Sequence, residues 1–140
     1  MSKITYNADL LKIMSLFENI TRTRLKDCFI DDSKMLTFIV ADYEVGKAIG
    51  KSAGNVKHIE KLLSRKIKIV GFNALPTQFV KNLIYPVTDV DVEIDGKTII
   101  IKGHDAKTKG YLIGRDQSHI KNNINIVKKY FKDIETIKVM

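Results

Sequence analysis

Twice in this chain an Ile-Gly-basic triplet stands just before a segment with helical apolar spacing: Ile49-Gly50-Lys51 and Ile113-Gly114-Arg115. A helix N-terminus offers unpaired backbone N–H groups and the positive end of the helix dipole, both suited to phosphate oxygens. Glycine lets a sugar-phosphate chain approach the backbone without a Cβ in the way. Flanking Lys and Arg neutralise further phosphates, and an apolar groove between helix and sheet can receive unstacked bases. One such loop is weak grounds for a site; two copies in matching context are much stronger.

Other chemistries fare worse. "GKAIGKS" (Gly46 to Ser52) resembles a nucleotide-binding P-loop, but only three residues separate its glycines where four are required. His58, His104 and His119 lack metal-ligand spacing, and Cys28, the single cysteine, excludes an internal disulfide. Cys28 reads as core packing inside an apolar strand. His119 reads as a solvent-exposed helix histidine, with base stacking as its second reading. No Ser-His-Asp grouping or carboxylate pair stands in a convincing context, so neither catalysis nor a cofactor or metal is expected.

Composition agrees with a polyanionic partner. The 140 residues carry 24 Lys+Arg against 16 Asp+Glu, a formal net charge of +8, and such a balance usually points to nucleic acid. The charge is clustered. Residues 46–68 hold Lys47, Lys51, Lys57, Lys61, Arg65, Lys66 and Lys68 against Glu60 alone. Residues 97–132 hold nine basic residues against Asp105 and Asp116. Between them, Asp89, Asp91, Glu93 and Asp95 alternate with Val90, Val92 and Ile94, which predicts a strand with one solvated acidic face and one apolar face under helices. No apolar run nears the roughly 18–20 residues of a membrane span, and no signal-peptide layout opens the chain. A cytoplasmic monomer is expected.

The elements that must position the two triplets repeat as well. Gly46, Ile49 and Gly50 align with Gly110, Ile113 and Gly114 at a separation of 64. Each unit reads as helix, hairpin, helix pair and strand. The first has a stripe of Leu10, Ile13, Phe17 and Ile20, with Asn7 or Asp9 as caps, then strands in "KDCFI" and "MLTFIV". Val56, Ile59, Leu62 and Leu63 form its later helix, and "KIKIVGF" closes it. The second runs from a helix at Pro76–Ile84 through "TDVDVEID" and "KTIIIKG" to a long helix carrying Ile120, Ile124, Val127 and Phe131, then "ETIKVM". The expected division is 1–74 and 75–140. The short, stiff link around Pro76 predicts one continuous rigid surface.

This order resembles two tandem KH modules of the prokaryotic type, with "AIGKSAGNVKHIEKLL" in one and "LIGRDQSHIKNNINIVKKYF" in the other. Over nearly its whole length the chain resembles archaeal NusA-like transcription termination/antitermination factors. The implied fold is α+β, with helices packed on one face of a small three-stranded sheet in each type II KH module. The implied partners are single-stranded RNA, as nascent transcript, and RNA polymerase or associated elongation factors. Carried over position by position, Gly50, Lys51, Ser52 and Ala53 line the first phosphate cradle, with Ile49 and Val56 flooring its base groove and Lys47 and Lys57 flanking it. Gly114, Arg115, Asp116 and Gln117 form the second, with Lys109 and Lys121 as flanking bases. Tyr111 is a further candidate for stacking on a base.

The loops depart from the Gly-x-x-Gly pattern of the family, because Ala53 and Gln117 stand at the second glycine. Asp116 also places a carboxylate near the expected phosphate path. Two readings of the second loop stay open: it binds RNA more weakly, or it survives as an element of the fold. A rival for the whole chain is an adaptor in RNA processing, RNA decay or ribosome assembly, docking proteins through the acidic strand.

Overall fold

A computed structural model describes residues 8–140, and over these the chain divides into two compact units that meet between Phe72 and Asn73. Asn7 lies outside the described residues. In the first unit, helix α1 (Ala8–Thr21) presents Leu10, Ile13, Met14, Phe17 and Ile20 to the core, and Asp9 falls in its first turn. Arg22 in the left-handed region stops the helix, and the Thr21 hydroxyl donates back to the Phe17 carbonyl at 2.8 Å. Strands β1 (Leu25–Ile30) and β2 (Leu36–Ala41) form an antiparallel hairpin with a bulge near Lys26, and β3 (Ile67–Phe72) joins β2 in parallel. The hairpin turn is tied by Asp31, whose Oδ1 accepts from the N–H groups of Ser33 and Met35.

Between β2 and β3 lie α2 (Val45–Ile49), a short 3-10 turn at Lys51–Ala53, and α3 (Gly54–Leu63). The core joins Phe17, Cys28, Leu36, Phe38, Val40, Ala48, Ile59 and Ile67, and Phe17 stacks on Phe38 at 4.2 Å. Burying each such large side chain contributes about 1.5–3 kcal/mol. Two glutamates stitch helix ends to strands: Glu18 accepts from the Leu25 N–H and Glu60 from the Ile67 N–H, each seven residues on.

The second unit repeats the order. Pro76 occupies the first position of α4 (Pro76–Ile84), behind an extended Leu75. Strands β4 (Val90–Asp95) and β5 (Thr98–Gly103) pair antiparallel, and β6 (Thr136–Val139) adds in parallel to β5. The connection holds α5 (Ala106–Ile113), a 3-10 turn at Arg115–Gln117, and α6 (Ser118–Tyr130). Phe79 packs against Tyr130 and Phe131, with ring centroids 5.6 Å from each. Both units therefore have the KH-like order of helix, hairpin, helix pair and strand on a three-stranded sheet.

Three apolar expectations need correction. Leu62 is exposed, because the buried arc of α3 centres on Ile59 and leaves Leu62 at its edge. Ile94 is exposed, being the last apolar position of β4 before the Asp95-Gly96 turn. The buried arc of α6 runs through Asn122, Ile126 and Val127, rotated from the expected stripe, with Ile120 and Ile124 left half-buried.

Candidate nucleic-acid interface

Each helix pair is joined by a four-residue loop, and the two loops share one backbone. Gly50 and Gly114 have φ/ψ of 81°/168° and 74°/170°, a region essentially reserved for glycine. The next basic residue is followed by two consecutive left-handed residues, Ser52 and Ala53 in the first loop and Asp116 and Gln117 in the second. Three backbone bonds recur. The Gly50 N–H donates to Gly46 and that of Gly114 to Gly110; the Ala53 N–H donates to Gly50 and that of Gln117 to Gly114; and the N–H of Gly54 and of Ser118 reach back to Lys51 and Arg115.

A clamp on each loop comes from the helix that follows. Asn55 donates from Nδ2 to the Lys47 carbonyl at 3.2 Å, and His119 Nδ1 lies 2.7 Å from the Tyr111 carbonyl. A carbonyl only accepts, so this Nδ1 carries the proton and Nε2 does not take part in the clamp. Asn55 and His119 are equivalent across the 64-residue repeat. Each fills the space where a Cβ would stand on the loop glycine: 2.9 Å to Asn55 Cγ at Gly50, and 2.7 Å to His119 Cγ at Gly114. His119 is therefore a half-buried fastening rather than a solvent-exposed helix side chain, and its ring leans on Tyr111 with centroids 5.2 Å apart. The glycines serve conformation and packing against the clamp, which is a stricter demand than room for a phosphate.

Around the loops the candidates sort by environment. Lys47, Lys51, Ser52 and Lys57 are exposed beside the first loop, and Arg115, Asp116, Gln117 and Lys121 beside the second. Among the described residues no acidic side chain pairs with Lys47, Lys51, Lys57, Arg115 or Lys121. Ile49 and Ala53 are half-buried, and Val56 packs onto the core. Lys109 is half-buried, its stem close against Gly103 at the end of β5. Asp105 caps α5 by accepting from the Thr108 N–H at 2.7 Å, and that bond holds its carboxyl below the usual range.

Part of the first basic cluster serves the fold. Arg65 donates to the Lys34 carbonyl, Lys66 lies 3.8 Å from Glu60, and burial of Lys68 lowers its pKa against an opposing pull from Asp31. Buried Cys28, beside Asp27, has its thiol pushed up to about 12, so it is a packing group. The acidic strand is partly answered from within its unit: Lys102 meets Glu93 at 3.1 Å, and His104 lies 3.9 Å from both Asp89 and Asp91. Among the described residues no group of three or more His, Cys, Asp or Glu could hold a metal ion, and no helix is long and apolar enough to cross a membrane.

Asn55 carries no motif that marks it as a clamp; its alignment with His119 across the 64-residue offset is the sequence signal for that role.

Known proteins are similar to this chain in sequence, and one solved structure is similar in fold. The chain is 29% identical to the probable transcription termination protein NusA of Methanocaldococcus jannaschii, a match covering 100% of this chain and 77% of that one. The protein of the same name from Halococcus morrhuae is 28% identical, covering 98% and 99%. That from Thermoplasma acidophilum is 22% identical, covering 99% and 97%. The crystal structure of APE1850 superposes with a TM-score of 0.70 at 27% identity, covering 93% of this chain and 96% of that one. No protein-family profile matches the chain. The likeness to archaeal NusA-like proteins thus extends over both units.

Proposed function

We propose that this chain is a non-catalytic, single-stranded RNA-binding factor of transcription termination or antitermination. RNA is gripped at the Gly50–Ala53 and Gly114–Gln117 loops, and the factor acts with RNA polymerase on nascent transcript. The observation that carries the reading is the doubled loop: one backbone built twice, each copy fastened by its own clamp and each presenting basic side chains that, among the described residues, no acidic side chain pairs with. Exposed cations without an acidic partner, set beside a hydrogen-bonded loop, keep their attraction for phosphate. The names of the NusA-like relatives support the transcription assignment. An adaptor docking through the acidic strand is less well supported, since Glu93 already pairs with Lys102 and the His104 imidazole lies 3.9 Å from Asp91.

Crosslinking the protein to RNA in the source cells and sequencing the bound fragments tests the assignment. Nascent leader transcripts are expected. Fragments confined to ribosomal RNA precursors would overturn the transcription reading in favour of ribosome assembly.

A further inference from the structure

The helix leading into each loop carries a glycine that the fold does not require. Gly46 on α2 and Gly110 on α5 are exposed, take no left-handed conformation, and have nothing within 4 Å of where a Cβ would stand. Glycine weakens a helix relative to alanine, yet it recurs at the same place in two short helices. In the first unit Tyr43 lies one turn earlier, in the 3-10 turn Asp42–Glu44, with 90% of its surface exposed. Residues three and four apart share a helix face, so Tyr43, Gly46, Lys47 and Gly50 lie along one side of the turn and helix. The neighbouring acid Asp42 is turned toward β3, its carboxylate lying against Gly71, and Glu44 is half-buried. In the second unit the corresponding face carries Lys107, Gly110, Tyr111 and Gly114, with Tyr111 55% exposed. Each face thus holds one tyrosine, one lysine and two glycines, the tyrosine and lysine having exchanged places.

We propose that the RNA path continues from each loop along this helix face. An unpaired base stacks on Tyr43, the strand passes over the bare backbone at Gly46, and a phosphate meets Lys47; Tyr111, Gly110 and Lys107 serve the second unit. The proposal rests on the RNA-binding reading above. A tyrosine face is sequence-tolerant because every base has a π-surface, and the adjacent lysine complements the charge of nucleic acid rather than that of an apolar peptide.

The test measures affinity of the full chain for labelled oligouridine and oligoadenosine at one fixed salt concentration. Tyr43→Ala should weaken binding about tenfold, while Tyr43→Phe stays within about twofold of the parent. Gly46→Ala should raise the melting temperature and still weaken binding several-fold, a combination that loss of folding cannot produce. Photocrosslinking with 5-iodouridine should yield an adduct on Tyr43. If Tyr43→Ala and Gly46→Ala bind like the parent while Lys51→Asp/Arg115→Asp does not bind, the loops are correctly assigned and the extended path is wrong. A parent chain that binds neither oligomer overturns both.

Discussion

The first and second loops agree within 7° at every φ and ψ from the loop glycine through the two left-handed residues, omitting the basic residue between, and differ at every side chain after the glycine. The shared parts are a glycine whose torsions strain any other residue and a clamp that fills the space beside it. Ser52 and Asp116, or Ala53 and Gln117, are interchangeable as far as the backbone is concerned. The second loop has therefore not lost its shape along with its second glycine. Its distinction is electrostatic: Asp116 sets a carboxylate beside Arg115, whereas Ser52 beside Lys51 carries no charge. Under the proposed RNA-binding reading, Asp116 lowers the second loop's attraction for phosphate; the intact His119 clamp fits a binding loop and an element of the fold equally.

The strongest way to break this equivalence is to move the glycines. Gly50→Ala and Gly114→Ala should each cost about 2–3 kcal/mol in urea unfolding, because a Cβ there meets both glycine-only torsions and the clamp residue. Ala53→Gly and Gln117→Gly should move the other way by up to ~1 kcal/mol, since each now holds an L-residue in the left-handed region. Unequal responses at the two glycines would show that the loops are only superficially alike.

A smaller effect sharpens the role of the clamps. Asn55→Ala and His119→Ala should each lower stability by about 1 kcal/mol, whereas His119→Asn should restore most of the loss by copying the first loop's fastening. A His119→Asn variant as unstable as His119→Ala would mean that the imidazole ring's packing on Tyr111, rather than its hydrogen bond, holds the second loop.

Much of this was legible in the sequence, because the signals were local and doubled. Period-two runs such as "VDVEID", the Pro76 helix start and the 64-residue offset of the glycines each state one element. What was hidden depends on tertiary context. Nothing in Ser52, Ala53 or Gln117 favours a left-handed backbone; the chain adopts it because the helix on each side is docked and the clamp closes the turn. Lys68 counts as a surface charge until β3 is placed beside β2 and leaves it half-buried. The arc of α6 rotates toward Ile126 because the helix packs against α4 and α5 as well as against the sheet, contacts that a single apolar stripe does not encode.

The most direct test of the central claim is the salt dependence of single-stranded RNA affinity for the parent chain and for Lys51→Asp/Arg115→Asp. Neutralising roughly 4–6 phosphates gives a log–log slope near −3 to −4, at about −0.7 per phosphate. The double variant should stay folded, bind far more weakly, and show a slope shallower by at least ~1.4. An unchanged affinity and slope in the folded variant would contradict the account, because the two loops would then not be where phosphate is held.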